Sequence, residues 1–185
     1  MPIRQLLSLL LCAFLVGVTD VRAQGLNPAV QTRLDRIRDE AVLWAADPVV
    51  VGAVLAQNRE IQPELASLTQ VAWEGISDKS PFLQKFIGHP AAVLIHAQAG
   101  NRISEAFLSD AQGRKVAFLG KPTNWTHQGK PKHEVPMSGK TWQGKIEVDR
   151  SAGTKQIQVA VPVLSDGVPV GSLVIGVPVS TLAGE

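Results

Sequence analysis

The sequence has one cysteine and no tyrosine among its 185 residues. A single cysteine excludes a disulfide framework and a four-cysteine metal site, and the absence of a C-x-x-C-H motif excludes an attached c-type haem. The sequence also lacks a G-x-S-x-G motif and the glycine-rich motifs that bind nucleotide phosphates. We therefore expect a protein that is not an enzyme and carries no cofactor.

The N-terminal segment has the pattern of a secretory signal. An apolar run at residues 6–18 is shorter than the about 20 residues that a membrane-spanning helix needs. Val21 and Ala23 stand at the small-residue positions that precede a cleavage site. We expect residues 1–23 to be removed and the mature chain to be periplasmic or secreted. An uncleaved anchor and a lipoprotein attached at Cys12 are the alternatives.

Basic residues are concentrated in the second half of the chain. Residues 111–160 hold nine Lys or Arg against three Asp or Glu, whereas residues 24–110 hold seven against ten. This excess favours an anionic ligand over bulk binding of nucleic acid. A solvated basic face is the alternative.

The first half of the chain has helical periodicity. Asn27-Pro28 is a helix-starting pair, and apolar residues follow at helical spacing: Val30, Leu34, Ile37, Ala41 and Trp44. We assign residues 24–46 to this N-terminal helix and residues 47–185 to a single domain. Further helix starts are predicted at Asp47-Pro48, Pro63, Ser80-Pro81 and His89-Pro90. The helix from Pro63 is predicted to continue through Ala72, and Trp44 and Trp73 are expected in the core.

After Asn101 the pattern changes to the alternation of β-strands. Strands are predicted at residues 103–109, 115–119, 144–149, 155–164 and 168–179. In the fourth strand, one face carries Ile157, Val159, Val161 and Val163, and the other carries Gln156 and Gln158. Five strands in a meander after a helical half predict an α+β domain with an antiparallel sheet.

The segment from Gly120 to Lys140 shows no convincing periodicity, and loops of this length often cover binding sites. It contains Trp125, an unusual residue for a polar loop. We expect the Trp125 indole to form a wall of a ligand site, so that Trp125→Ala weakens binding and leaves the fold intact. His127 is expected to strengthen anion binding as the pH falls through about 6.5.

A metal site is a weaker alternative for this segment. His127, His133 and Glu134 carry ligand atoms, but their spacing matches no standard site.

Five segments carry a family resemblance by their order and spacing. They are FLSDAQGRKVA at 107–117, KPTNW at 121–125, VDRSAG at 148–153, VAVPV at 159–163 and GSLVIGV at 171–177. Together they resemble the extracytoplasmic Cache sensor family, which is PAS-like and also called PDC. The resemblance covers roughly Asp47 to Ser180. It implies a long N-terminal helix packed on a five-stranded antiparallel sheet, with a loop that closes over a pocket for a small extracellular ligand.

The resemblance also implies site residues. Thr123, Asn124 and Trp125 match the polar and aromatic segment of the family's ligand loop, and Asp149 matches the acidic residue after the third strand. The family commonly has Asp and Tyr at the positions of Asn124 and Trp125, followed by an acidic pair where this chain has lysines. This departure favours an anion-binding pocket, because lysine and histidine donors suit carboxylate and phosphate oxygens. The predicted ligand-binding residues are Lys121, Thr123, Asn124, Trp125, His127, Trp142 and Asp149.

We expect an exported, stand-alone sensor domain that binds a small organic anion. It would signal through a separate membrane-bound partner, such as a sensor kinase or a chemoreceptor, without a nucleic-acid partner. One alternative is an adaptor module that binds no ligand and dimerises through its N-terminal helix. Another is an enzyme or metal carrier that uses His127 and His133.

Overall fold

The computed structural model describes residues 26–148 and 153–183. The predicted signal at residues 1–23 and the predicted site residue Asp149 lie outside the described residues. The helices are α1 (Pro28–Ala45), α2 (Pro48–Arg59), α3 (Pro63–Ala66), α4 (Gln70–Gly75), α5 (Pro81–Ile87), α6 (Pro90–Ala99), α7 (Pro131–Met137) and α8 (Val179–Ala183). The strands are β1 (Glu105–Ser109), β2 (Lys115–Phe118), β3 (Trp142–Val148), β4 (Lys155–Ser165) and β5 (Val168–Pro178).

The predicted helix starts at Asn27, Asp47, Ser80 and His89 are confirmed. Each of these side chains accepts a hydrogen bond from the backbone N–H two residues further on, at 2.8 to 3.2 Å, ahead of a proline in the first turn. The single helix predicted from Pro63 is wrong in extent. The chain leaves the helix after Ala66 and begins α4 at Gln70, because Thr69 caps a new helix through its hydroxyl.

The five strands form one antiparallel sheet in the order β2-β1-β5-β4-β3. The predicted α+β fold with a five-stranded, PAS-like antiparallel sheet is confirmed, but the meander is wrong. In the structure β5 inserts between β1 and β4, because the β1 edge that faces away from β2 is open to it. The chain from β2 to β3 therefore crosses one face of the sheet.

Both faces of the sheet are covered. The first face packs against α1, α2 and α6, and its strand residues include Ile157, Val159, Val161, Val163, Leu173 and Ile175, all buried. This confirms the predicted apolar face of β4, and Trp44 lies in this core. The second face carries an aromatic core, which we define as Trp73, Phe86, Phe107, Phe118 and Trp125 with their aliphatic neighbours. Trp73 is buried there, as predicted.

The segment from Gly120 to Lys140 is not an uninterrupted loop, because it contains α7. Pro131 begins this helix and Pro136 lies inside it. A helix of seven residues with two prolines has too few apolar positions to show a helical period, which explains why the sequence pattern missed it. We call residues 120–130 the cavity loop. Within the described residues, no helix is both long and apolar enough to cross a membrane.

Candidate functional site

A cavity of about 210 Å³ lies on the second face of the sheet, beside the aromatic core. We call it the sheet-face cavity. Strands β1, β3 and β4 supply one part of its wall, and the cavity loop and α7 supply the rest. Its lining residues are Glu105, Phe107, Pro122, Thr123, Asn124, His127, Lys132, Glu147, Val148, Gln156 and Gln158.

The floor of the cavity is a connected set of polar side chains. Lys132 Nζ donates to Gln158 Oε1 at 2.8 Å, and Gln158 Nε2 donates to Glu105 Oε2 at 2.7 Å. Gln156 Nε2 donates to the same oxygen at 3.1 Å. The two amides reach Glu105 across β5 at Gly176, where an added Cβ would lie only 2.2 Å from Gln156 Oε1. A side chain at this position would displace the Gln156 amide from the floor, whose hydrogen bonds connect Lys132 to Glu105.

Lys132 supplies the positive charge of the cavity. Its ammonium has three N–H donors, of which Gln158 takes one. Burial lowers the pKa of Lys132, while Glu105 and Glu147 oppose that shift. Nζ also lies 5.6 Å from the centre of the Phe107 ring. A carboxylate on a ligand would offer this ammonium a partner that compensates for its partial loss of water.

His127 lies at the inner end of the cavity loop. Its ring stacks on Phe107 with 4.6 Å between the centroids and 10° between the planes, and its backbone N–H donates to the Gly113 carbonyl at 2.8 Å. Burial lowers the pKa of His127 to about 2, with the charges of Lys115 and Lys132 adding to the shift. The ring therefore stays neutral at physiological pH. The expectation that it gains charge near pH 6.5 is wrong, because the sequence did not show that the ring is buried beside lysines.

Lys115 lies behind His127 and is fully buried. Its Nζ contacts Ser109 Oγ at 3.1 Å, the Gly113 carbonyl at 3.3 Å and the Nδ1 atom of His127. It also lies 4.5 Å from the centre of the Phe107 ring, within the range of a cation–π contact. Lys115 thus contacts His127 and Phe107, which both line the cavity. Lys115 itself does not line it.

Among the residues predicted to bind ligand, Thr123, Asn124 and His127 line the cavity. Lys121 does not, because its Nζ donates to the Ile76 carbonyl at 2.6 Å and lies over the Trp73 ring. Trp142 is partly buried against the aromatic core and is also absent from the lining.

Trp125 differs most from its predicted role. Its side chain is 3% exposed and packs in the aromatic core, 5.3 Å from Trp73 and 6.1 Å from Phe86 between ring centroids. Its backbone N–H donates to Gln70 Oε1 at 2.9 Å. The indole therefore does not form a wall of the cavity. It anchors the cavity loop to the core, and this anchoring places the neighbouring Asn124 at the cavity.

His133 has a structural role in α7. Its Nδ1 lies 2.8 Å from Ser172 Oγ and its Nε2 lies 3.4 Å from the Ala111 carbonyl, so both ring nitrogens face protein partners. Glu134 Oε1 accepts from the backbone N–H of Gly129 at 2.7 Å. No group of three or more His, Cys, Asp or Glu side chains in residues 26–148 and 153–183 is placed to hold a metal ion.

Sequence reasoning missed most of the strand residues in the cavity. They are Glu105, Phe107, Glu147, Gln156 and Gln158. Lys132 in α7 is one of the lysines from which the sequence predicts an anion-binding pocket, but it was not among the predicted ligand-binding residues. One signal was present: two glutamines share a face of a strand whose other face is wholly aliphatic. In a strand covered on both sides, such glutamines must find polar partners, and here they line the cavity.

A second cavity, of about 230 Å³, lies between α2, α3, α5 and β2. Apolar side chains, including Leu65, Phe82 and Phe86, share its wall with Glu60, Glu64 and Lys85. None of the predicted ligand-binding residues in the described part of the chain lies there.

Comparison with known proteins finds structural similarity alone. No family model and no curated protein matches the sequence. The similar solved structures include the sensor domain of the Vibrio cholerae (V. cholerae) histidine kinase DctB, at 16% identity and a TM-score of 0.47, covering 83% of this chain and 53% of that one. The chain is similar in fold to sensor domains.

Two further sensor domains show the same similarity. The Escherichia coli (E. coli) DcuS sensor domain has 10% identity and a TM-score of 0.49, with 85% of this chain and 96% of that one covered. The ligand-binding domain of the Campylobacter jejuni chemoreceptor Tlp3 has 10% identity and a TM-score of 0.46. The similarity covers 83% of this chain and 56% of that one. This chain thus spans about half the length of the DctB and Tlp3 structures.

Proposed function

We propose that this chain is an extracytoplasmic sensor domain that binds a small carboxylate-bearing metabolite in the sheet-face cavity and signals through a separate membrane-bound partner. One observation carries the proposal: the Lys132 ammonium, the His127 ring and the polar Asn124 and Thr123 converge on one cavity beside the Phe107 ring. Polar groups at fixed positions orient the ligand in small-molecule sites, and most of the side chains that line this cavity are polar.

The size of the cavity supports a small ligand. Sites for drug-sized molecules occupy about 300–1,000 Å³. The volume here is about 210 Å³, which fits a metabolite of a few heavy atoms.

The charges in the cavity narrow the ligand class beyond a simple anion. Although residues 111–160 are rich in lysine and arginine, only Lys132 among the described ones lines the cavity. Glu105 and Glu147 line it too. Glu105 already accepts from two glutamine amides, so Glu147 is the carboxylate better placed to take a donor from the ligand. We infer a ligand that carries a carboxylate for Lys132 and a hydroxyl or amino group for Glu147.

Calorimetric titration of acetate, lactate, succinate, alanine and serine tests this proposal. Lys132→Met should weaken binding of the carboxylates about tenfold or more, because a hydrogen bond to a charged group contributes about 1.5–3 kcal/mol. Lys130→Met is the matched control, since Lys130 is exposed at the start of the same helix and does not line the cavity. Glu147→Gln should weaken the binding of serine and alanine more than the binding of acetate. Equal affinities in wild type and Lys132→Met would contradict the site, and binding of cationic amines alone would contradict the carboxylate.

Export is a separate part of the proposal, and it depends on the signal pattern of residues 1–23. The intact mass of the protein recovered outside the cytoplasm tests it. The proposal expects a mass that begins after Ala23. A species that retains the first 23 residues, or a lipid on Cys12, would contradict a soluble exported domain.

A second candidate function is docking or dimerisation through α1. Leu43 and Val42 on this helix are 71% and 39% exposed, next to an outer face with Asp35, Arg36 and Asp39. Light scattering of wild type and Leu43→Glu tests this candidate. A dimer that the substitution dissociates supports it, and a wild-type monomer at high concentration contradicts dimerisation.

A further inference from the structure

We propose that Lys115 is a positioning residue for the sheet-face cavity: it holds the His127 ring in the tautomer that is protonated on Nε2, so that a neutral N–H donor is available to the ligand. The part about the ligand depends on the proposed function. The part about the tautomer depends only on the contacts of Lys115.

The first step is the number of acceptors around Lys115 Nζ. Three atoms surround it: Ser109 Oγ at 3.1 Å, the Gly113 carbonyl oxygen at 3.3 Å and His127 Nδ1. A lysine ammonium has three N–H donors and no acceptor. As an ammonium, Lys115 donates to all three partners. As a neutral amine it can still donate to the Gly113 carbonyl and to Nδ1, while it accepts from the Ser109 hydroxyl. In both cases Nδ1 of His127 accepts, which it can do only when it carries no proton. The position of Nζ over the Phe107 ring also suits a cation.

The second step is the charge of the His127 ring. Burial lowers its pKa to about 2, and the neighbouring charges of Lys115, Lys132, His133 and Lys130 act in the same direction. The ring therefore carries a single proton at neutral pH. With Nδ1 occupied by Lys115, that proton lies on Nε2. The part of the chain that the structure describes places no hydrogen-bond partner on Nε2, while His127 itself lines the cavity.

The third step is the cost of keeping a lysine at this position. Burial and the nearby Lys132 lower the pKa of Lys115 well below its ordinary value, and Asp110 and Glu105 only partly offset this. Asp110 is itself engaged by Arg114, whose Nε lies 2.7 Å from its Oδ2. A methionine has nearly the same shape and would avoid the desolvation of an amine. Burial therefore works against lysine at this position, and the contact with His127 Nδ1 is a role that methionine could not take over.

Nitrogen NMR of the histidine side chains tests the tautomer without any ligand. In the full chain labelled with ¹⁵N-histidine at pH 7, His127 should show a protonated Nε2 and an unprotonated Nδ1. In Lys115→Met the ring should populate both tautomers and titrate at a higher pH. Lys130→Met is the control: it removes a nearby charge without removing the contact, so it should leave the tautomer unchanged. A proton on Nδ1 in wild type, or an unchanged tautomer in Lys115→Met, would overturn the proposal.

Substitutions of His127 test the donor toward the carboxylates of the titration panel. The amide nitrogen of glutamine can replace an Nε2 donor, whereas asparagine places its amide near Nδ1. His127→Gln should therefore keep most of the affinity for whichever of succinate, lactate and serine binds wild type. His127→Asn should lower the affinity for the same compound about tenfold. Lys115→Met should also lower the affinity about tenfold when His127 is present. In the His127→Gln background it should lower the affinity much less.

The two experiments fail in different ways. If no panel carboxylate binds wild type, the proposed function fails, and the NMR result still decides the role of Lys115. If a carboxylate binds and Lys115→Met leaves its affinity unchanged, the positioning role fails and the cavity assignment stands.

Discussion

Gly113 and His127 are joined by a backbone hydrogen bond of 2.8 Å, from the His127 N–H to the Gly113 carbonyl. At Gly113 the backbone has φ +75°, and an added Cβ would lie 2.5 Å from the backbone nitrogen of Gln128. The same carbonyl accepts from Lys115 Nζ. The β1–β2 hairpin and the cavity loop therefore meet at a glycine that leaves no space for a side chain.

Gly113→Ala should separate this hairpin from the cavity loop. A left-handed backbone conformation costs an L-residue about 1–2 kcal/mol, and the contact with the Gln128 backbone adds to this. The free energy of unfolding in urea should fall by at least that amount. Gly120→Ala is the matched control, because Gly120 begins the cavity loop and an added Cβ there meets no atom within 4 Å. Equal losses in the two variants would show that the close approach at Gly113 does not matter.

Trp125→Ala should destabilise the whole domain. The indole is buried against Trp73 and Phe86, and removing a buried tryptophan typically costs about 3–5 kcal/mol. Trp44→Ala should lower the stability by a similar amount, because Trp44 is buried in the core on the opposite face of the sheet. Trp142→Ala should lower it less, because Trp142 is only partly buried. Thermal unfolding followed by circular dichroism measures all three. The sequence alone predicts that Trp125→Ala leaves the fold intact. An unchanged melting temperature in Trp125→Ala would support that expectation and contradict the role of the indole in the core.

Features that depend on neighbouring residues could be predicted from the sequence. The helix starts were predictable because a capping side chain and a following proline lie within three positions of each other, as at Asp47. The strand faces were predictable because alternation is local, as in the buried run around Val159 and Val161. The sheet order was not, because β1 pairs with β5 across more than sixty positions, for example Ala106 with Ile175.

The site could be predicted only in part, because some of its contacts join residues that are distant in the sequence. Asn124 and His127 stand in a polar loop and line the cavity, so local composition located them. Trp125 has the same polar neighbours, but its contacts are with helices α4 and α5, which no local pattern shows. Charge counting failed at Lys121 because a surplus of lysines does not tell which ones bond to backbone carbonyls and which one enters the cavity.

The free energy of unfolding should fall as the pH drops below about 6.5. The unfolded chain binds a proton on His127 near its ordinary pKa of about 6.5, but the folded chain does not until about 2. In this window the unfolded state holds more protons, so each pH unit removes about 1.4 kcal/mol of stability through this residue. Between pH 6.5 and 5 the loss from His127 alone approaches about 2 kcal/mol. Burial also lowers the pKa values of His133 and His89, so both add to the loss in the same direction.

Urea unfolding at pH 7, 6.5, 6, 5.5 and 5 measures this slope before most carboxylates titrate. His127→Gln should flatten the curve because it removes a titrating ring while leaving an amide beside Lys115. His96→Gln is the control for the loss of a histidine, because His96 is exposed on α6 and does not line the cavity. If the wild-type curve is flat, or if His127→Gln has the wild-type slope, then His127 takes up its proton as readily in the folded chain as in the unfolded one. In that case the ring could not serve as a neutral donor in the cavity across this pH range.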